Sequence, residues 1–154
     1  VASAILAQNI QVSKTFNGHT YALTSAAMTW SAAAAAAASL GGYLATLNTK
    51  AENVWIWNQF ETQVWIGAND RDTENTWVWD NGTTSDDGGI SDNISAGAKW
   101  PDGTDKWASN EPNDCCSNDT DFQENCGTSR GSQNKSTWND LGCGSNLYGG
   151  IEID

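Results

Sequence analysis

Positive charge is scarce in this chain of 154 residues. Seven Lys and Arg stand against 19 Asp and Glu, for a net charge of −12. Phosphate backbones are held by clustered Lys and Arg, so this balance argues against a nucleic-acid partner. Histidine is scarcer still. The one imidazole, His19, sits beside a turn and reads as structural, and it leaves little material for zinc sites or His-based catalytic triads. There is no apolar run of about 18 residues, so no helix is expected to insert into a membrane. No segment repeats at a fixed period. The opening VASAILAQNIQ lacks a basic n-region and a full apolar core, and reads as a mature or excised N-terminus.

What is abundant is acid, and it is unevenly placed. Residues 1–69 are neutral in sum, whereas residues 70–140 carry 15 acids against five bases, or −10. These acids lie among Asn, Gly, Ser and Thr with few apolar residues between them. Such a segment repels itself unless cations bind it, and calcium takes about six to eight carboxylate and carbonyl oxygens. The length is that of a single domain, 1–154, with a lead-in at 1–13 and a long-loop region at 80–140. All four cysteines lie in the last third, which fits an oxidising extracellular or cell-surface setting. They permit three pairings. Cys126 with Cys143 would close a loop of 17 positions, worth roughly 3 kcal/mol in a chain-entropy account. That pairing leaves Cys115 and Cys116 to join each other or another chain, as a loop staple more than as a redox site.

The first half has the patterns of a scaffold. KTFNGHTYALT alternates about Asn17-Gly18, as a hairpin does. TWSAAAAAAASLGG has helical composition, with Gly41-Gly42 as its stop and an alanine face suited to close packing on a sheet. Thr49 and Glu52 form a capping-box pattern ahead of a second helix, whose apolar positions are Val54, Trp57 and Phe60. VWIGAND and TWVWDNG read as strands, and LYGGIEID as a last strand with Ile151 and Ile153 alternating against acids. Most of the nine tryptophans are expected in the core, Trp100 and Trp107 as a small core of the long loop.

Taken in order, the two helices, WIGAND, EPN at 111–113, ENC at 124–126 and WNDLGC at 138–143 resemble the C-type lectin-like domain over residues 14–154. The resemblance implies an α+β fold: two helices packed on small antiparallel sheets, with a long calcium-binding loop region. It implies a principal calcium held by Glu111, Asn113, Glu124, Asn139 and Asp140, the same side chains also contacting sugar. An auxiliary calcium would fall to Asp70, Glu74 and Asp114, with Asn125 standing where a further acid is expected. One to three Ca2+ ions are implied in all. It also implies a cis Glu111-Pro112 bond and a Cys126–Cys143 disulfide. The usual long-range disulfide is missing, its positions falling near Ala37 and Ile151. The segment from Asn113 to Glu124 is longer than usual, so Asp119 or Asp121 could replace Glu124.

The function implied is calcium-dependent binding of mannose-, fucose- or glucose-type sugars through vicinal hydroxyls, without enzymatic activity. Its partners would be cell-surface or secreted glycans, within a larger adhesin, a secreted lectin or an oligomer. Two other readings are an ice-binding protein and a calcium-stabilised, protein-binding adhesin domain.

Overall fold

A computed structural model describes residues 10–81, 93–114, 123–129 and 137–154. Strand β1 (Ile10–Phe16) turns at Asn17 and Gly18, both at positive φ, into β2 (His19–Thr24). Helix α1 (Trp30–Ser39) follows, its N-cap Thr29 accepting from the Ala32 N–H at 3.3 Å. A short strand, β3 (Tyr43–Leu44), leads to α2 (Lys50–Phe60), capped by Thr49. Then come β4 (Val64–Asn69), β5 (Val78–Trp79), β6 (Cys126–Thr128), β7 (Asn139–Leu141) and β8 (Tyr148–Ile153).

The strands form one path, β1-β2-β8-β4-β6-β7, with β3 added on β8 and β5 on β4. Pairing is antiparallel except at β4 and β8, where Val64 lies opposite Tyr148 and Trp65 opposite Gly149 in parallel. The sheet is therefore mixed, where the resemblance implies small antiparallel sheets, within the same α+β class. The two strands are far apart in sequence, and nothing local to either sets their direction.

The alanine face of α1 does what its size permits. Ala33 and Ala37 are fully buried, and a Cβ on Gly149 would stand 2.8 Å from the Ala33 Cβ. Small residues on both sides let helix and sheet approach closely. Where the long-range disulfide would sit, Ala37 and Ile151 pack with Ala22, so apolar contact holds α1 to β8. Cys126 and Cys143 are joined as a disulfide. Cys115 and Cys116 lie outside the described residues.

Two details of the scaffold differ from expectation. On α2 the buried face is Glu52, Asn53, Ile56 and Trp57, with Val54 and Phe60 only half-buried. Trp55 accounts for the rotation, since it packs on Phe16 and Tyr21 with ring centroids 5.0 and 5.1 Å away. On β8, Glu152 is 2 % exposed, so the acid between the two isoleucines faces inward.

Residues 93–114, part of the long-loop region, are locally organised. The Trp100 N–H donates to Thr104 O at 2.8 Å and Lys106 N–H to Ala98 O at 3.0 Å. Trp100 and Trp107 join Trp77, Trp79 and Trp138 in the principal core cluster, as the expected loop core does. Lys106, fully buried, donates to Asn93 O at 2.8 Å and lies 4.7 Å from the Trp100 ring centroid.

Candidate functional site: a carboxylate cluster on a tryptophan floor

The tryptophan core sets where the acidic loops meet. Trp107 bridges Trp138 in parallel, the Ala108 N–H donating to Trp138 O and the Trp138 N–H to Lys106 O, both at 2.8 Å. The two indoles meet edge to face at 5.6 Å, and the Trp138 indole N–H donates to Asn53 on α2 at 2.9 Å. Glu111-Pro112-Asn113 follows the first tryptophan and Asn139-Asp140 the second. The bridge thus anchors both segments to one rigid base. The Glu111-Pro112 bond is cis, as the resemblance implied.

Asp140 is the hinge of the arrangement. It is fully buried opposite Gly127, and its Oδ1 accepts the Asn113 N–H at 3.2 Å. Its Oδ2 accepts the Asp114 N–H at 2.8 Å. Asn113 Nδ2 donates to Glu111 Oε1 at 3.0 Å, and Asp114 Oδ1 accepts the Glu124 N–H at 2.9 Å. Glu111, Asn113, Asp114, Glu124 and Asp140 are therefore brought together, and Asn139 stands next to Asp140 at the start of β7.

Glu111 Oε2 is buried and no donor reaches it. Burial, then the facing Asp140 carboxylate, then Glu124 push the Glu111 carboxyl up to about 8. Beside this cluster, Asp70 is 3 % exposed and accepts the Asn75 N–H at 2.9 Å through Oδ2, while its buried Oδ1 has no donor. Burial first, with Glu74 and Asp114 adding their charge, pushes Asp70 up to about 6. Asp70, Glu74 and Asp114 therefore form a second group that shares Asp114 with the first.

Asn125, which stands where the resemblance expects an acid, sits at the same place. Its carbonyl oxygen accepts the Asp70 N–H at 3.1 Å, and its side-chain Oδ1 is buried without a donor. A neutral amide oxygen is a hard ligand too, and a pattern search for acids passes over it. Asp119 and Asp121, the proposed substitutes for Glu124, lie outside the described residues. Glu124 itself lies in the cluster, 9 % exposed.

These groups are all oxygen donors, several of them buried, and Glu111 Oε2, Asp70 Oδ1 and Asn125 Oδ1 are acceptors that no donor reaches. Hard divalent cations suit such a set. Glu111, Asn113, Glu124, Asn139 and Asp140 could hold one, and Asp70, Glu74, Asp114 and Asn125 another.

The sequence matches the model of the family described as lectin C-type domain over residues 26–148. Among curated proteins no relative matches. Among solved structures, the trimeric Kupffer cell C-type lectin receptor Clec4f is similar at a TM-score of 0.72 and 24 % identity, covering 98 % of this chain and 86 % of its own. The mouse scavenger receptor C-type lectin carbohydrate-recognition domain gives 0.69 and 19 %, with 92 % and 93 % covered. A calcium-independent type II antifreeze protein gives 0.68 and 21 %, with 92 % and 90 % covered. At these identities the structural neighbours establish the fold alone.

Proposed function

Because the chain belongs to the lectin C-type domain family, we propose that it is a calcium-dependent carbohydrate-binding module for mannose-, fucose- or glucose-type sugars. The observation that carries the reading is the orphaned Glu111 Oε2, buried between Asp140 and Glu124. A buried acceptor that no protein donor reaches is costly unless a ligand answers it. Bound there, calcium would neutralise the cluster and offer coordination positions to two vicinal hydroxyls.

The chain's own groups complete the recognition. A sugar hydroxyl both donates and accepts, so it is satisfied by one carboxylate acceptor and one amide donor. Glu111 supplies the first and Asn113 Nδ2 the second, already aligned on each other at 3.0 Å. Asp140 holds the segment after Pro112 in place by accepting the Asn113 and Asp114 N–H groups. The auxiliary group at Asp70, Glu74, Asp114 and Asn125 would take a second ion and stiffen the loop from beneath. The module binds and does not catalyse, as is general in the family. A domain of this family with a disulfide suits an extracellular or cell-surface setting, in a larger adhesin or an oligomer. Single sugars bind weakly, and avidity would come from several copies.

Binding to a glycan array, with millimolar calcium and again in chelator, tests the reading. Calcium-dependent signals on mannose- or fucose-rich glycans are expected. A folded protein that binds no glycan in calcium overturns it. The similarity to an antifreeze protein favours ice binding as the second reading, and thermal hysteresis of the same sample discriminates. The charge of residues 70–140 speaks against a flat, weakly charged ice face.

A further inference from the structure

A single histidine is little material for a metal site until the fold adds to it. His19 and Tyr21 on β2 stand two positions apart, as do Glu152 on β8 and Asp154 just past it, so each pair shares a face of the sheet. The antiparallel register places Tyr21 opposite Glu152 and carries His19 toward Asp154. Three polar tips meet there. His19 Nδ1 lies 2.5 Å from Asp154 Oδ1 and 3.3 Å from Glu152 Oε1, and one ligand atom from each residue falls within 4.8 Å of the others. The second oxygen of each carboxylate is held from outside the trio. The Tyr43 hydroxyl donates to Asp154 Oδ2 and the Thr46 N–H to Glu152 Oε2, both at 2.9 Å. Oδ1, Oε1 and Nδ1 are thus left facing one another, with outer partners fixing the carboxylates' directions. Glu52 stays out of the trio, since its two oxygens go to the Tyr21 hydroxyl and the Asn48 N–H.

We propose that His19, Glu152 and Asp154 form a zinc site, separate from both carboxylate groups of the loops. Zinc takes imidazole and carboxylate ligands together at about 2.0–2.2 Å, four in a tetrahedron whose edge is then about 3.4 Å. The separation of His19 and Glu152 is already close to that edge. The edge between His19 and Asp154 must open by about 1 Å, a movement that Asp154, 61 % exposed, can make. Calcium takes about six to eight oxygens, and two carboxylate oxygens with a nitrogen serve it poorly. Glu152 forms the floor, and the exposed edges of His19 and Asp154 leave the ion a way in. Water would fill the fourth position. Thr46 is 1 % exposed, and its Oγ1 has no partner, so a zinc-bound water would answer a buried polar atom beside Glu152. Without zinc, a proton on His19 joins the same two carboxylates, and binding exchanges that proton for the ion. The ion would link β2 to the end of β8 across 135 positions of sequence. It would add a clasp next to Ile151, where apolar contact stands in for the long-range disulfide.

His19 is the chain's one histidine, so its imidazole nitrogens report on this site alone. The untagged, isotope-labelled chain is titrated with zinc chloride while saturating calcium competes for the loop carboxylates. One equivalent of zinc should move the Nδ1 resonance to its metal-bound position. Zinc at about 100 times its dissociation constant should raise the ratio of folded to unfolded chain about 100-fold in denaturant. Further calcium should leave the Nδ1 resonance where it was. His19→Gln should abolish this zinc binding. Asp154→Asn, an exposed substitution, keeps the test open if His19→Gln does not fold. It should weaken zinc binding by more than about tenfold, the least that loss of even an outer partner costs a metal site. Zinc that binds without moving the His19 resonances, or that binds Asp154→Asn as tightly as the parent chain, overturns the site. Calcium that produces the same Nδ1 shift overturns the choice of zinc.

Discussion

Two carboxylate clusters among the described residues differ in what surrounds them. The scaffold cluster joins Glu52 on α2 with Glu152 and Asp154 at the end of β8. Glu52 accepts from the Tyr21 hydroxyl at 2.6 Å and the Asn48 N–H at 2.9 Å. Glu152 accepts the Thr46 N–H at 2.9 Å and lies 3.3 Å from His19 Nδ1. Asp154 accepts from His19 and from the Tyr43 hydroxyl at 2.9 Å. Every carboxylate there has donors supplied by the fold. The loop cluster at Glu111, Asp140 and Asp70 is equally acidic, yet Glu111 Oε2 and Asp70 Oδ1 have none. Burial does not separate the two, nor does the upward shift of their carboxyls, which reaches about 7 at Glu152 and about 8 at Glu111. The supply of donors does. A cluster satisfied by the fold stands without an ion, and an unsatisfied one waits for a ligand.

The largest test breaks the loop cluster at its hinge. Asp140→Ala leaves the Asn113 and Asp114 N–H groups without their acceptor and removes the central carboxylate. Calcium-dependent glycan binding should fall by more than about 100-fold, with stability lower by about 2 kcal/mol. Retained binding on the array would locate the clamp elsewhere. Calcium should raise amide protection in residues 106–114 and 137–141 and leave α1 and the β2–β8 pairing unchanged. Equal changes in both halves would erase the distinction between the clusters.

The scaffold cluster should answer to protons instead. Burial, with Glu52 and Asp154 adding charge against the Thr46 N–H and His19, pushes Glu152 from 4.5 up to about 7. Between those values the folded chain keeps a proton that the unfolded chain has released, so stability falls as pH rises from about 4.5 to about 7. The drop is at most about 3 kcal/mol, at about 1.4 kcal/mol per unit. His19, raised chiefly by its bond to Asp154, acts with the same sign: its contribution is present below 6.5 and is lost as pH rises through its folded value. Denaturant midpoints across this range in saturating calcium measure the slope, and Glu152→Gln should flatten it. An unchanged slope would place the titrating group outside the scaffold cluster.

How much of this was legible in the sequence follows the same division. The hairpin at Asn17-Gly18, the alanine helix and the buried Trp100 and Trp107 are local patterns, and local patterns survive folding. Glu111, Asn113, Asp140 and their neighbours were legible as motifs because the resemblance supplied their order. The scaffold cluster was not. An acid between two isoleucines reads as the solvent face of a strand, and only the donors from Thr46 and His19 allow Glu152 inside. Glu52 looked like half of a capping box; Thr49 does cap the helix, but the carboxylate turns to Asn48 and Tyr21. The parallel β4–β8 pairing and the Trp107–Trp138 bridge depend on residues distant in sequence.

Removing one donor from the satisfied cluster is a smaller test. Tyr21 is fully buried, so Tyr21→Phe keeps the packing and leaves a Glu52 oxygen without its partner. Stability should fall by about 1–2 kcal/mol, read from denaturant unfolding, while calcium-dependent glycan binding stays as it was. A loss of binding would mean that the two clusters are coupled through α2, whose Asn53 also holds Trp138.

The smallest change leaves the loop cluster in place and alters one atom pair. Asn113 Nδ2 is the amide donor beside Glu111 Oε1, and Asn113→Asp replaces it with an acceptor while adding charge to a cluster already in excess. Calcium would tolerate the new oxygen, because carboxylates are hard ligands. A sugar hydroxyl would not, since it loses its donor and faces acceptors on both sides. Affinity for mannose-type sugars should therefore fall about tenfold, the worth of a hydrogen bond or two, while calcium affinity holds or rises. Titrating calcium and sugar separately measures both. A parallel fall in the two would make Asn113 a structural part of the metal site, and an unchanged sugar affinity would remove it from the clamp.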